Sequence, residues 1–179
     1  MATIDLIVLG MLKKQSMGAY DIQKLVEYRN ISKWVKISTP SIYKKVIQLE
    51  EKGLITSRIE KDGKMPEKAV YSLTEMGEHE FEKLMMETSH APINIFLDFN
   101  AVIVNLDSVS IEQQRQCIEN IKQSIRELES IIQKNIEMKK DEIAIPATGM
   151  AVLHQQLILA QAIENWIDDV KEIAGDSNE

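Results

Sequence analysis

Only one cysteine, Cys117, occurs in the 179 residues. It has no internal partner, so no disulfide staples the fold and a reducing compartment suits it. Aromatics are scarce at 5% within an apolar share of 44%. That composition disfavours an aromatic-rich β-sandwich and favours helices that pack through stripes of Ile, Leu, Val and Met. No apolar run is long enough to span a bilayer, and Met1 to Leu12 lacks the basic leader and small-residue cleavage site of a secretory signal. The expected compartment is the cytoplasm. Chemistry-bearing motifs are missing too, with no phosphate-binding glycine loop, nucleophile elbow or paired His and carboxylate. His79, His90 and His154 are scattered without metal-ligand spacing. Neither catalysis nor a metal or other cofactor is expected.

An excess of positive charge is also lacking overall, since the formal net charge is -7. Its distribution is uneven, however: residues 1–88 sum to +1 and residues 89–179 to -8. Between Lys33 and Val70, nine basic residues stand against five acidic ones. A surface facing a polyanion belongs there, because phosphate neutralisation depends on local cation density rather than on net charge.

Periodicity then orders the chain. Ile4 to Leu12, followed by Lys13 and Lys14, reads as a buried first helix whose C-terminal end carries cations. Ile22, Leu25 and Val26 share one face of a short second helix starting near Tyr20. Thr39 is read as the N-cap of a third helix with Pro40 in its first position; Ile42, Val46 and Leu49 form its core side, and Gly53 ends it. Leu54–Ile59 and Lys68–Leu73 are two strands around the charged tip of a hairpin, and Thr74 caps a helix running to about Ser89. This order predicts a mainly α protein with a small β-hairpin wing: a winged helix-turn-helix over 1–89 and a helical dimerisation domain over 90–179.

In the second half, Pro92 is expected to open a helix reaching about Asp107. A heptad from Ser110 then places Ile111, Ile118, Ile125 and Ile132 at one seam position, with Ile121 and Leu128 at the other. Cys117 lies beside that seam and reads as a small apolar residue. After a break at Ala144–Gly149, the last helix carries Leu159, Ile163, Trp166, Val170 and Ile173 along one side. Stripes on both long helices exceed what one small headpiece covers. They predict an intersubunit bundle built from Ile118, Ile121, Ile125, Leu128, Ile132, Leu159, Ile163 and Trp166.

In a helix-turn-helix, a short helix braces a second one whose polar N-terminal side chains enter the major groove. Here that face offers Thr39, Ser41, Tyr43, Lys44 and Lys45, and the wing offers Lys64 and Lys68 against phosphates. For the lysines the alternative is a solvated face, and for Tyr43 it is packing on the wing. Trp34, Phe96 and Phe99 are candidates to line a small-molecule effector pocket, with core packing as the alternative. At the level of the whole chain, the competing reading is a winged-helix module that binds protein rather than DNA.

The stretches Ile7–Leu12, Gly18–Ile22, Ser38–Tyr43, Leu49–Ile55 and Tyr71–Gly77, in that order, resemble the PadR family of bacterial transcriptional regulators. The acidic long helix and Ala162–Trp166 also look like that family's helical C-terminal domain. The resemblance implies a homodimer on an inverted-repeat DNA operator, and repression relieved by a small-molecule inducer. It also implies a phosphate contact for Tyr20, groove contacts for Ser41 and Tyr43, and minor-groove or phosphate contacts for Lys64 and Lys68. Family members often have Gly where Pro40 stands and Pro where Lys44 stands, so Lys44 is expected to add a phosphate or guanine contact and the operator is not that of relatives.

Overall fold

The computed structural model describes residues 2–61, 67–142 and 145–176. Lys64, at the hairpin tip, lies outside the described residues, as does the side chain of Ile173. The chain divides into two compact units, Met1–Ile93 and Asn94–Glu179.

In the first unit, α1 (Ala2–Lys14) is followed by β1 (Met17–Gly18), α2 (Ala19–Tyr28), α3 (Ser41–Glu51), β2 (Ile55–Glu60), β3 (Lys68–Leu73) and α4 (Glu75–Ser89). The sheet is antiparallel with order β1-β3-β2, Met17 facing Tyr71 and Ser57 facing Tyr71 from the other side. The two-residue strand β1 is not legible in the sequence, because so short an edge has no period of its own. The core gathers Val8, Leu9, Ile22, Val26, Ile42, Val46 and Leu49, all fully buried, so the aliphatic stripes of the first three helices converge as their spacing requires.

Two local devices fix the wing against this core. At the end of α3, Gly53 adopts φ +72°, its amide donating to the Glu50 carbonyl and that of Leu54 to Leu49. These paired bonds form the Schellman arrangement, which needs a left-handed residue. At the start of α4, the Thr74 hydroxyl oxygen accepts from the Gly77 amide at 3.0 Å. Gly77 is packed so closely there that an added Cβ would meet the Leu54 carbonyl oxygen at 1.9 Å.

The second unit holds α5 (Asn100–Ile103), α6 (Ile111–Lys139) and α7 (Ala147–Asp176). The expected helix from Pro92 is reduced to the four residues of α5, preceded by turn hydrogen bonds and followed by a 3₁₀ turn. Ser110 caps α6, accepting from the Gln113 amide while the Gln113 side chain accepts from the Ser110 amide. α6 and α7 run antiparallel. Lys122 pairs with Asp168, and Arg126 with Glu164 at 2.7 Å.

The Ile seam is used differently from the expectation. Ile118, Ile121 and Ile125 are buried within this chain against Ile167 and Leu106, with Ile163 and Cys117 packed alongside, and Ile132 is also buried. These residues already have cover from α7, since a long helix folding back on another supplies the partner that the heptad pattern demands. Leu128, Leu159 and Trp166 are 48%, 46% and 38% exposed. They are the part of the predicted interface that stays uncovered in a single chain.

Candidate nucleic-acid interface

Helix α3 is amphipathic in a strict angular sense. At about 100° per residue, Ile42, Lys45, Val46 and Leu49 fall on one arc, and all four are buried. Tyr43, Lys44 and Ile47 fall on the opposite arc and are exposed. Lys44 has no ion-pair partner among the described residues, so its ammonium is available to an incoming anion.

Lys45 corrects the sequence reading. Its side chain is only 10% exposed, and its Nζ lies 2.7 Å from Asp5 Oδ1 on α1. That oxygen makes no well-angled hydrogen bond, so the contact is chiefly one of charge against charge. A lysine on the core arc must bring a counter-ion with it. It therefore braces the helix instead of reaching a phosphate.

The start of α3 also differs. Pro40, not Thr39, occupies the N-cap position, with helical φ and ψ. The first amides are satisfied by backbone: Ser41 N donates to the Ser38 carbonyl and Ile42 N to that of Thr39. Thr39 and Ser41 are half-buried in this turn, at the end of α3 that sequence reading directs toward a groove.

Helix α2 adds a second polar cluster. Tyr20 is 58% exposed, and the Lys24 ammonium sits 5.5 Å from its ring centroid. Lys24 also donates to Glu27 at 2.9 Å. That hydrogen bond and the Glu27 charge raise the lysine pKa above its ordinary value, with smaller contributions from Tyr20 and Tyr43. Tyr20, Lys24 and Tyr43 thus form one patch across α2 and α3. Sequence reasoning misses Lys24; its i,i+4 spacing from Tyr20 is the available signal. Lys68, at the base of the wing, is exposed and lies 3.7 Å from Asp21 Oδ2, a loose ion pair that a phosphate can compete for.

The aromatic trio proposed for an effector is not a unit. Trp34 packs on the core of the first unit, and Phe99 on that of the second, 6.1 Å from Trp166 between centroids. Phe96 is 85% exposed. A largely apolar hollow of about 340 Å³ does open in the second unit between Leu97, Phe99, Ile121, Leu128 and Ile163, and of the three it includes only Phe99. Among the described residues no group of three or more His, Cys, Asp or Glu is arranged to hold a metal, and no helix is long and apolar enough to cross a membrane.

The model of the transcriptional regulator PadR-like family matches residues 8–83, which span α1 to α4 of this architecture. Over those residues the first unit is similar to that family. Solved structures extend the likeness in fold to the rest of the chain. Bacillus subtilis PadR in complex with operator DNA superposes with a TM-score of 0.81 at 20% identity, covering 96% of this chain and 99% of that one. The same protein in complex with p-coumaric acid gives 0.80 at 18% identity, over 97% and 96% of the two chains. A PadR-like transcriptional regulator from Bacillus cereus gives 0.72 at 18% identity, over 98% and 99%. Among curated protein sequences none matches this one significantly. The matching family model and the solved structures named are those of transcriptional regulators.

Proposed function

We propose that the protein is a homodimeric, sequence-specific DNA-binding repressor acting on an inverted-repeat operator and released from it by a small molecule. The observation that carries the reading is the division of α3 into a fully buried arc and an outward arc bearing Tyr43 and Lys44, the latter without an ion-pair partner among the described residues. Tyr20, Lys24 and Lys68 flank that arc. Such a helix, braced from behind, presents hydroxyl and ammonium groups at the width of a major groove. In this reading Lys44, Lys68 and Lys64 neutralise phosphates, Tyr20 contacts the backbone, and Ser41 and Tyr43 face base edges.

Dimerisation is supported by the apolar side chains that α6 and α7 leave uncovered, among them Leu128, Ile131, Ile158 and Leu159. Two copies joined there carry two recognition helices, and adjacent half-sites then lie about one turn, roughly 34 Å, apart. For an inducer, the apolar hollow beside Phe99 supplies space. The operator and p-coumaric acid complexes of Bacillus subtilis PadR, a protein of the same fold, accord with both partners.

The test is a selection of genomic duplexes by the purified protein, followed by anisotropy titrations at several salt concentrations and sedimentation analysis. The expected result is a dimer that prefers one fragment strongly over random duplex, with log affinity falling steeply against log salt. A monomer, or equal affinity for every duplex, would overturn the proposal.

A further inference from the structure

On the outward arc of α3, one side chain is neither polar nor cationic. Ile47 is 54% exposed, whereas the apolar arc of the same helix, Ile42, Val46 and Leu49, is completely buried without it. Its angular position is about 40° from Tyr43 and about 60° from Lys44, so it sits between them on the face turned outward. Along the axis it is about 6 Å beyond Tyr43, a displacement of roughly two base-pair steps in a duplex lying alongside. The major groove displays a single apolar group, the C5-methyl of thymine, and aliphatic side chains read it by contact.

We propose that Ile47 is a specificity-determining residue that packs on the C5-methyl of one thymine in each operator half-site. This rests on the reading of α3 as the groove-binding helix. Tyr43 and Lys44 would present polar groups to base pairs one or two steps away, so the isoleucine contributes discrimination rather than charge. Because it makes no phosphate contact, its removal changes which sequence is preferred and leaves the salt dependence alone.

The experiment uses the full-length protein and the duplex it selects from genomic fragments. Each thymine of one half-site is replaced in turn by deoxyuridine, which differs only in lacking the methyl group. The wild-type protein is expected to lose about fourfold in affinity at one position, the loss that corresponds to one buried methyl-sized group. Ile47→Ala, with its thermal unfolding midpoint checked against wild type, is expected to bind the selected duplex more weakly, with an unchanged salt slope. It should be indifferent to that substitution, within about 1.5-fold on the same scale. Specific binding in which no thymine is sensitive, or in which Ile47→Ala keeps the same sensitivity, overturns this inference alone. Absence of any preferred duplex removes the groove-binding reading and this inference with it.

Discussion

The pair Asp5–Lys45 joins α1 to α3 from inside the first unit, with side chains 15% and 10% exposed. Lys45→Met removes the ammonium and fills its stem with apolar volume, but leaves the Asp5 carboxylate enclosed without a counter-charge. Asp5→Leu does the reverse, and additionally removes an acid from the first turn of α1, worth about 0.5 kcal/mol at the helix N-terminus. Breaking a buried pair from one side costs about 3 kcal/mol, whereas replacing both partners by apolar residues is close to neutral. For a unit of this size 1 kcal/mol moves the midpoint by about 4–8 °C, so each single change should lower Tm by roughly 12–24 °C. The double variant should return to within about 5 °C of wild type. Calorimetric or circular-dichroism melting of the four proteins closes the cycle. Additive losses in the double variant would refute the claim that the two charges answer each other. If the folded double variant also shows a shallower salt slope on DNA, Lys45 contacts phosphate after all and the brace is misassigned.

Lys44→Ala is expected to weaken DNA binding about equally across sequences and to reduce the slope of log affinity against log salt by about 0.9 for each phosphate that Lys44 neutralises; anisotropy at four salt concentrations reads this, and an unchanged slope contradicts it. Gly77→Ala would drive a Cβ into the Leu54 carbonyl, a backbone atom with no room to yield, and should destabilise the first unit by about 3 kcal/mol or more in urea titration. Glu129 on α6 has its pKa raised by burial, then by the charge of Glu164 on α7 and by a hydrogen bond to it. The folded state therefore holds this proton to higher pH than the unfolded chain does, so the stabilisation is complete below the ordinary value of 4.5 and is lost as pH rises through the raised one. Glu129→Gln, which stays neutral, should melt above wild type at pH 7 and lose that advantage toward pH 4; a difference independent of pH would contradict the assignment.

Sequence and structure agree where the cause lies within a few residues. Gly53 ends α3 and Thr74 caps α4 because a left-handed turn and an N-cap hydrogen bond are local requirements. The stripes Ile42–Val46–Leu49 and Ile118–Ile121–Ile125 are likewise legible, since burial follows helical spacing whatever the partner is. The expected helix from Pro92 fails because Ile93, Ile95 and Phe96 have nothing to pack against within this chain and are exposed, and α-helical order there is confined to Asn100–Ile103.

Composition and periodicity suffice for a mainly helical protein with a winged hairpin, for the place of α3 in the order of helices, and for its apolar stripe. They could not determine where a charged or apolar face finds its complement, because that partner is distant along the chain and only the fold brings it near. Lys45 lies on the core arc by angle, yet its charge argues for solvent until the fold sets Asp5, forty residues earlier, beside it. The Ile seam announces a helical partner, and tertiary structure decided that α7 of the same chain supplies it, leaving Leu128, Leu159 and Trp166 uncovered.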